Sequence, residues 1–107
     1  MLRTEAQQQT ICTNCPLAKT ADLIGDSNML LIVRDLLAGP KRFSDFGALA
    51  GGVSTRTLAK KLKILEGYGM IERMDPDTIR SLYRLTRKGK GLEPVMDAMR
   101  AYGKKHL

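Results

Sequence analysis

Four cations, Arg56, Lys60, Lys61 and Lys63, fall within ten residues of the stretch VSTRTLAKKLKILEGY (53–68), and no acid follows until Glu66. Leu58, Leu62 and Leu65 recur there at i, i+4 and i+7, one stripe of an amphipathic helix. At about 100° per residue, Arg56, Lys60 and Lys63 lie nearly opposite those leucines, with Thr57 beside them. Ser54 is placed to cap this helix, its hydroxyl accepting from the open N–H groups of the first turn. A helix apolar on one side and purely basic on the other suits the major groove of DNA. It equally suits a solvated surface, and these residues alone favour neither reading.

The second chemical feature is a CxxC, Cys12 and Cys15. A structural zinc site needs about four ligands, and the single histidine, His106, lies at the far end of the chain. One chain therefore does not supply such a site, and no metal or cofactor is expected. A thioredoxin-type enzyme needs a strand–helix–strand context, which is absent. An inert thiol pair and a redox sensor remain. Cys15 stands just before Pro16, a residue suited to the first helical position, and the positive end of a helix favours thiolate. No catalytic constellation is found: there is no Gly-rich phosphate loop and no cluster of carboxylates, so an enzyme is not expected.

These residues need elements to hold them. Residues 1–11 form a polar lead-in without an apolar period, read as a mobile end, and residues 12–107 are read as one domain. Leu17, Ala21 and Ile24 predict a short helix from Pro16 to about Gly25. Asp26 or Ser27 starts a second helix, NMLLIVRDLLAG, which is apolar all round from Met29 to Val33 and stops at Gly39-Pro40. Lys41-Arg42-Phe43 is read as a short strand, and Phe46, Leu49 and Ala50 as a turn of helix. Gly51-Gly52 then connects to the basic helix, completing a helix-turn-helix order. Met70 to Met74 and Ser81 to Thr86 predict a hairpin around Asp75-Pro76-Asp77, with Ile71 the main inward residue. Arg87, Lys88 and Lys90 lead into a closing helix whose stripe is Leu92, Val95, Met96, Met99 and Tyr102. The fold class is mainly α with a small β-hairpin, in winged-helix order.

Composition narrows the partners. The chain of 107 residues carries a net charge of +7. Residues 1–40 hold three Lys/Arg and four Asp/Glu, whereas residues 41–107 hold fifteen and seven. A basic half beside a neutral half suggests a polyanion-facing surface and a separate scaffold or partner surface. With no tryptophan, two phenylalanines and three tyrosines, a stacking platform for single-stranded nucleic acid is not expected. No apolar run reaches the roughly 20 residues of a membrane span. The first fifteen residues are polar and include Gln7, Gln8 and Gln9, so no secretory signal is read. A cytoplasmic chain with reduced cysteines is expected.

Four segments together, CPLAKTADLIG, LLIVRDLLAGPKRFSDF, VSTRTLAKKLKILEGYGMIER and LYRLTRKGKGLEPVMDAMRAYG, resemble the HxlR-type family of winged-helix regulators over about residues 12–103. The resemblance implies a homodimeric bacterial or archaeal transcription factor. It places Cys15 at the position through which several members respond to electrophiles or oxidants. It also matches Arg34-Asp35-Leu36-Leu37 to the second-helix signature, Ser54–Lys63 to the DNA-reading helix, and Leu85-Thr86 with Gly89 to the turn before the last helix. The chain departs from the family in carrying Asp26-Ser27-Asn28-Met29 where a Gly-Lys-Trp is usual, in a shorter wing, and in Lys60 where a neutral amide is common.

On this reading Ser54, Thr55, Arg56, Thr57 and Lys60 meet base edges, and Arg56 is the candidate for a bidentate guanine contact. Lys41, Arg42, Lys61, Lys63 and the wing residues Arg73, Arg80 and Arg84 meet phosphates. Cys15 with Cys12 is the redox-sensing candidate. The terminal helices, through Leu17, Met29, Leu92, Val95, Met96, Met99 and Tyr102, are expected to form a dimer interface. The partners expected are double-stranded DNA with a near-palindromic operator, a second copy of the chain and a small-molecule or oxidant effector, with no membrane. The alternative is a winged-helix protein-interaction module with only non-specific affinity for nucleic acid.

Overall fold

In the computed structural model Leu58, Leu62 and Leu65 are 2%, 1% and 0% exposed, and the other elements close around them. The structure describes residues 4–10, 15–49, 53–75 and 81–107, with the backbone alone at 8–10 and 47–49. In chain order the helices are α1 (Glu5–Thr10), α2 (Pro16–Ile24), α3 (Ser27–Leu37), α4 (Phe43–Leu49), α5 (Thr55–Gly67), α6 (Arg87–Lys90) and α7 (Glu93–His106). The strands are β1 (Lys41–Arg42), β2 (Ile71–Met74) and β3 (Leu82–Leu85).

The helix α1 stands where the sequence predicts a mobile lead-in. Its start has a local cause: Gln7 N–H donates to the Thr4 hydroxyl at 3.2 Å and Thr4 N–H to Gln7 Oε1 at 3.0 Å. That reciprocal pair is a capping box, which satisfies two open donors at once. Helix α3 is buried on most sides, as its apolar run requires, through Met29, Ile32, Val33 and Leu36. Asp35 is also buried, and its Oδ1 accepts from both Nε and Nη2 of Arg34 at 3.1 Å.

The sheet is antiparallel in the order β1-β3-β2, so the wing hairpin gains a third strand from Lys41–Arg42. Ile71 pairs with Leu85 and Arg73 with Tyr83 across the hairpin. Ile71, Tyr83 and Leu85 face the core, where Tyr83 meets the Phe46 ring edge-on at 6.1 Å. The hairpin turn opens on Asp75 at φ 56°, a left-handed conformation that aspartate tolerates. The remaining turn, the Gly51-Gly52 connection, Ala50, Cys12 and Arg80 lie outside the described residues.

The end of α5 is fixed by a second set of local bonds. Gly69 N–H donates to Glu66 C=O at 2.9 Å and Met70 N–H to Leu65 C=O at 3.0 Å. This is a Schellman motif, with Gly69 at φ 73° supplying the left-handed step. Thr86 then ties the following elements to it. Its hydroxyl donates to Gly69 C=O at 2.6 Å and accepts from Gly89 N–H at 3.2 Å, capping the short helix α6. Lys88 Nζ donates to the Tyr68 carbonyl at 2.6 Å. The basic lead-in to the closing helix is thus a separate helical turn, α6, and α7 starts anew with Pro94 in its first turn.

Three residues expected at a dimer surface belong instead to the monomer core. Met29 is 0%, Leu92 8% and Met96 7% exposed, so none offers area to a second copy. The apolar stripe of α7 is broad because it serves two sides. Leu92 and Met96 face inward, while Val95, Met99 and Tyr102 are exposed, as is Leu17 on α2.

Gly89 lies where a Cβ would sit 2.1 Å from the Met70 carbonyl oxygen. Gly89→Ala must therefore push α6 away from the end of α5. The expected loss is about 1–3 kcal/mol, typical of overpacking, seen as a lower urea midpoint; an unchanged midpoint contradicts this packing.

Candidate nucleic-acid interface

The exposed basic face of α5 is built by one cap and one stripe. Ser54, in extended conformation, accepts from Thr57 N–H at 3.2 Å and donates to the Thr57 hydroxyl at 2.9 Å. This starts α5 at Thr55 and leaves Thr55, Arg56 and Lys60 on the exposed side, with Lys63 one turn further on. Burial of the three leucines decides which face of the helix is dry, so the opposite face has no choice but water or a partner. Among the described residues Arg56, Lys60 and Lys63 form no ion pair, so their charge is available to a polyanion. Ser54 and Thr57 are exposed too, but their hydroxyls are already bonded to each other.

Lys61, expected at a phosphate, is different: its ammonium already has a partner within the chain. It is half-buried, and its ammonium bonds Asp26 Oδ2 in a salt bridge between α5 and the start of α3. Asp26 is also the N-cap of α3, where Oδ1 accepts from Asn28 N–H at 2.8 Å. The helical wheel carried a signal for this: Lys61 lies only about 60° from Leu58, on the flank of the buried stripe. Asp26 was legible as a cap and not as an anchor, because its partner is 35 residues away in the chain.

The wing contributes less free charge than its composition suggests. Arg84 Nε pairs with Glu72 across the hairpin at 2.6 Å. Arg73 donates to the buried Ser81 hydroxyl at 3.0 Å and stacks 5.6 Å above the Tyr83 ring. Lys41 is half-buried and Arg42 exposed on β1. The side chain of Arg42 is not held by the bond between its own N–H and Asp45, at 2.9 Å, which fastens the start of α4.

Cys15 occupies the N-cap position of α2 and is half-buried; its thiol makes no cap hydrogen bond. Its carbonyl accepts from Lys19 N–H at 3.0 Å. Among the described residues no group of three His, Cys, Asp or Glu is placed to hold a metal ion. A groove of about 250 Å³ runs between α3 and α7, lined by Leu30, Leu31, Arg34, Met96, Met99 and Arg100. No helix among the described residues is long and apolar enough to cross a membrane.

The pattern of the HxlR-like helix-turn-helix family matches residues 23–107, from α2 through α7. The chain belongs to the HxlR-like helix-turn-helix family. It is 40% identical over 85 residues to the HTH-type transcriptional regulator YvaP of Bacillus subtilis, covering 77% of this chain and 79% of that protein. It is 37% identical over 93 residues to YodB of the same organism, covering 84% and 83%. The quinone-bound structure of YodB superposes with a TM-score of 0.75 at 33% identity, over 85% of this chain and 98% of that one. The reduced form of the redox regulator HypR superposes at 0.78 with 28% identity, over 85% and 92%. The HxlR-like chain is thus a winged-helix transcription regulator, and its relatives are regulators and not enzymes.

The Asp26–Lys61 pair gives this HxlR-like chain an acid-sensitive joint. The Lys61 hydrogen bond holds the Asp26 carboxyl below its ordinary value of 3.8; burial opposes this, and the Asn28 N–H adds to it. The folded value lies below the unfolded one, so the stabilisation is fully present above about pH 4 and is lost as pH falls through the lowered folded value. Asp26→Asn keeps a cap acceptor and loses the charge. Thermal melts should show it less stable than the parent at neutral pH and equal to it in acid below both values; a gap independent of pH contradicts the pairing.

Proposed function

We propose that this protein is a homodimeric, sequence-specific regulator that reads double-stranded DNA with α5 and acts in the cytoplasm. Residues 12–107 would form the DNA-binding domain together with its dimerisation helices. The observation that carries the reading is the face of α5 opposite its leucines. There Thr55, Arg56 and Lys60 are exposed in the first two turns of a capped helix, and the cations among them have no internal counter-charge. Arg56 is the base-reading residue, and its planar fork matches the two acceptors of guanine. Lys60 and Thr55 support it, and Ser54 and Thr57 sit at the edge of the reading face. Lys63, Lys41 and Arg42 meet phosphates, with Arg73, Arg80 and Arg84 on the wing.

A second copy would pair through the exposed residues of the terminal helices: Leu17 on α2, and Val95, Met99 and Tyr102 on α7. Two reading helices related by a two-fold axis require a near-palindromic operator. The test of the reading compares Arg56→Ala with Lys63→Ala on operator and scrambled duplexes at several salt concentrations. Arg56→Ala should relax specificity by about 1–3 kcal/mol. Lys63→Ala should weaken all sequences alike and flatten the salt slope by about one unit. Identical behaviour contradicts the assignment, and weak binding to every duplex would favour the protein-interaction reading.

We also propose that Cys15, with Cys12, makes the regulator responsive to oxidants or electrophiles. Supporting this are the place of Cys15 at a helix N-terminus, which favours thiolate, and the relatives HypR, a redox regulator, and YodB, solved with a quinone bound. Diamide or a quinone should lower operator affinity in the parent and leave Cys15→Ser unchanged. Equal responses in both contradict the proposal.

A further inference from the structure

Apolar packing leaves the reading helix one freedom. Leu58, Leu62 and Leu65 hold α5 against the core, but contacts between hydrocarbon surfaces are non-directional, so no bond in the stripe sets the fine rotation about the helix axis. A side-chain head lies about 5–6 Å from that axis. A roll of about 10° therefore moves it about 1 Å, more than the ~0.5 Å within which a binding constellation has to be held. The three leucines cannot by themselves aim Arg56.

One directional bond crosses from α5 to the scaffold on the flank of this stripe. Lys61, half-buried, bonds Asp26 Oδ2, while Asp26 Oδ1 accepts from Asn28 N–H at 2.8 Å. The carboxylate is thus held at both oxygens, and it belongs to the fixed N-terminus of α3, which is the most deeply buried helix. Lys61 lies one residue beyond Lys60 and five beyond Arg56, on the same rigid helix.

We infer that the Asp26–Lys61 pair sets the roll of α5 on the scaffold, so that both are positioning residues for base selection, and Lys61 is not a phosphate contact. This rests on the reading of α5 as the DNA-reading helix. The pair acts through Arg56, which touches the base; neither Asp26 nor Lys61 does.

The test uses the full chain, a duplex selected by it from random sequence, and a scrambled duplex. Lys61→Met keeps the packed stem without the charge, and Asp26→Asn keeps the cap. Each should lower the ratio of selected to scrambled affinity about tenfold. Affinity for the scrambled duplex and its salt slope should stay unchanged, and the double variant should lose no more than either single one. Lys61→Arg should restore the ratio. Without DNA, the backbone amide resonances of Thr55 to Lys60 should move in the same direction in both variants. A salt slope reduced by about one unit in Lys61→Met, with the ratio kept, makes Lys61 a phosphate contact and overturns the inference. So does Asp26→Asn binding every duplex more tightly, because a released Lys61 has then reached a phosphate. Unmoved amides overturn it whatever the DNA result. A parent protein with no sequence preference overturns the DNA reading itself, and the amide comparison still decides whether the pair sets α5.

Discussion

Burial of Leu58, Leu62 and Leu65 is the constraint on which the rest of the molecule depends. Each fully buried side chain of this size is worth roughly 1.5–3 kcal/mol, so the stripe outweighs any single polar contact on α5. An exposed ion pair is worth about 0–1 kcal/mol. The leucines therefore decide which side of α5 is dry, and by helical geometry they decide that Arg56, Lys60 and Lys63 face outward. The polar contacts act on a finer scale. Ser54 fixes where the helix begins, Gly69 and Thr86 fix where it ends, and Asp26–Lys61 ties its flank to α3.

The same hierarchy places the proposed base contacts on one helix. Among the described residues of the wing, Arg84 is matched by Glu72, and Arg73 is engaged by Ser81 and the Tyr83 ring. Those bonds hold the hairpin in register and engage both guanidinium groups. On α5, Arg56, Lys60 and Lys63 have no internal partner among the described residues, and they follow a capped N-terminus whose backbone dipole adds to their charge. The proposed DNA contacts therefore centre on the first turns of this one helix, with the wing beside it.

Much of this was legible in the sequence, because short-range patterns determine it. The i, i+4, i+7 leucines, the Ser54 cap, the all-round apolar run of α3 and the Gly69 stop each depend on neighbours within a few residues. The apolar stripe of α7 was legible too, but its division was not. Periodicity reports that Leu92, Val95, Met96, Met99 and Tyr102 share a side, and only the folded chain shows that Leu92 and Met96 are buried within the monomer. The pairing of Lys61 was hidden for the same reason, since a cation beside a buried stripe reveals its partner only when the chain has brought Asp26 to it. Helix α1 has a local signal, the capping-box spacing of Thr4 and Gln7, but no apolar stripe to mark it as a helix.

The central claim, that a two-fold pair of these chains reads sequence through α5, is tested most directly by selecting bound sequences from random duplex DNA. The account predicts one enriched near-palindrome whose half-sites lie about one helical turn apart, roughly 34 Å or 10 base pairs, with an invariant guanine in each half. Enrichment of no motif, or of a single half-site without its mirror image, would contradict it.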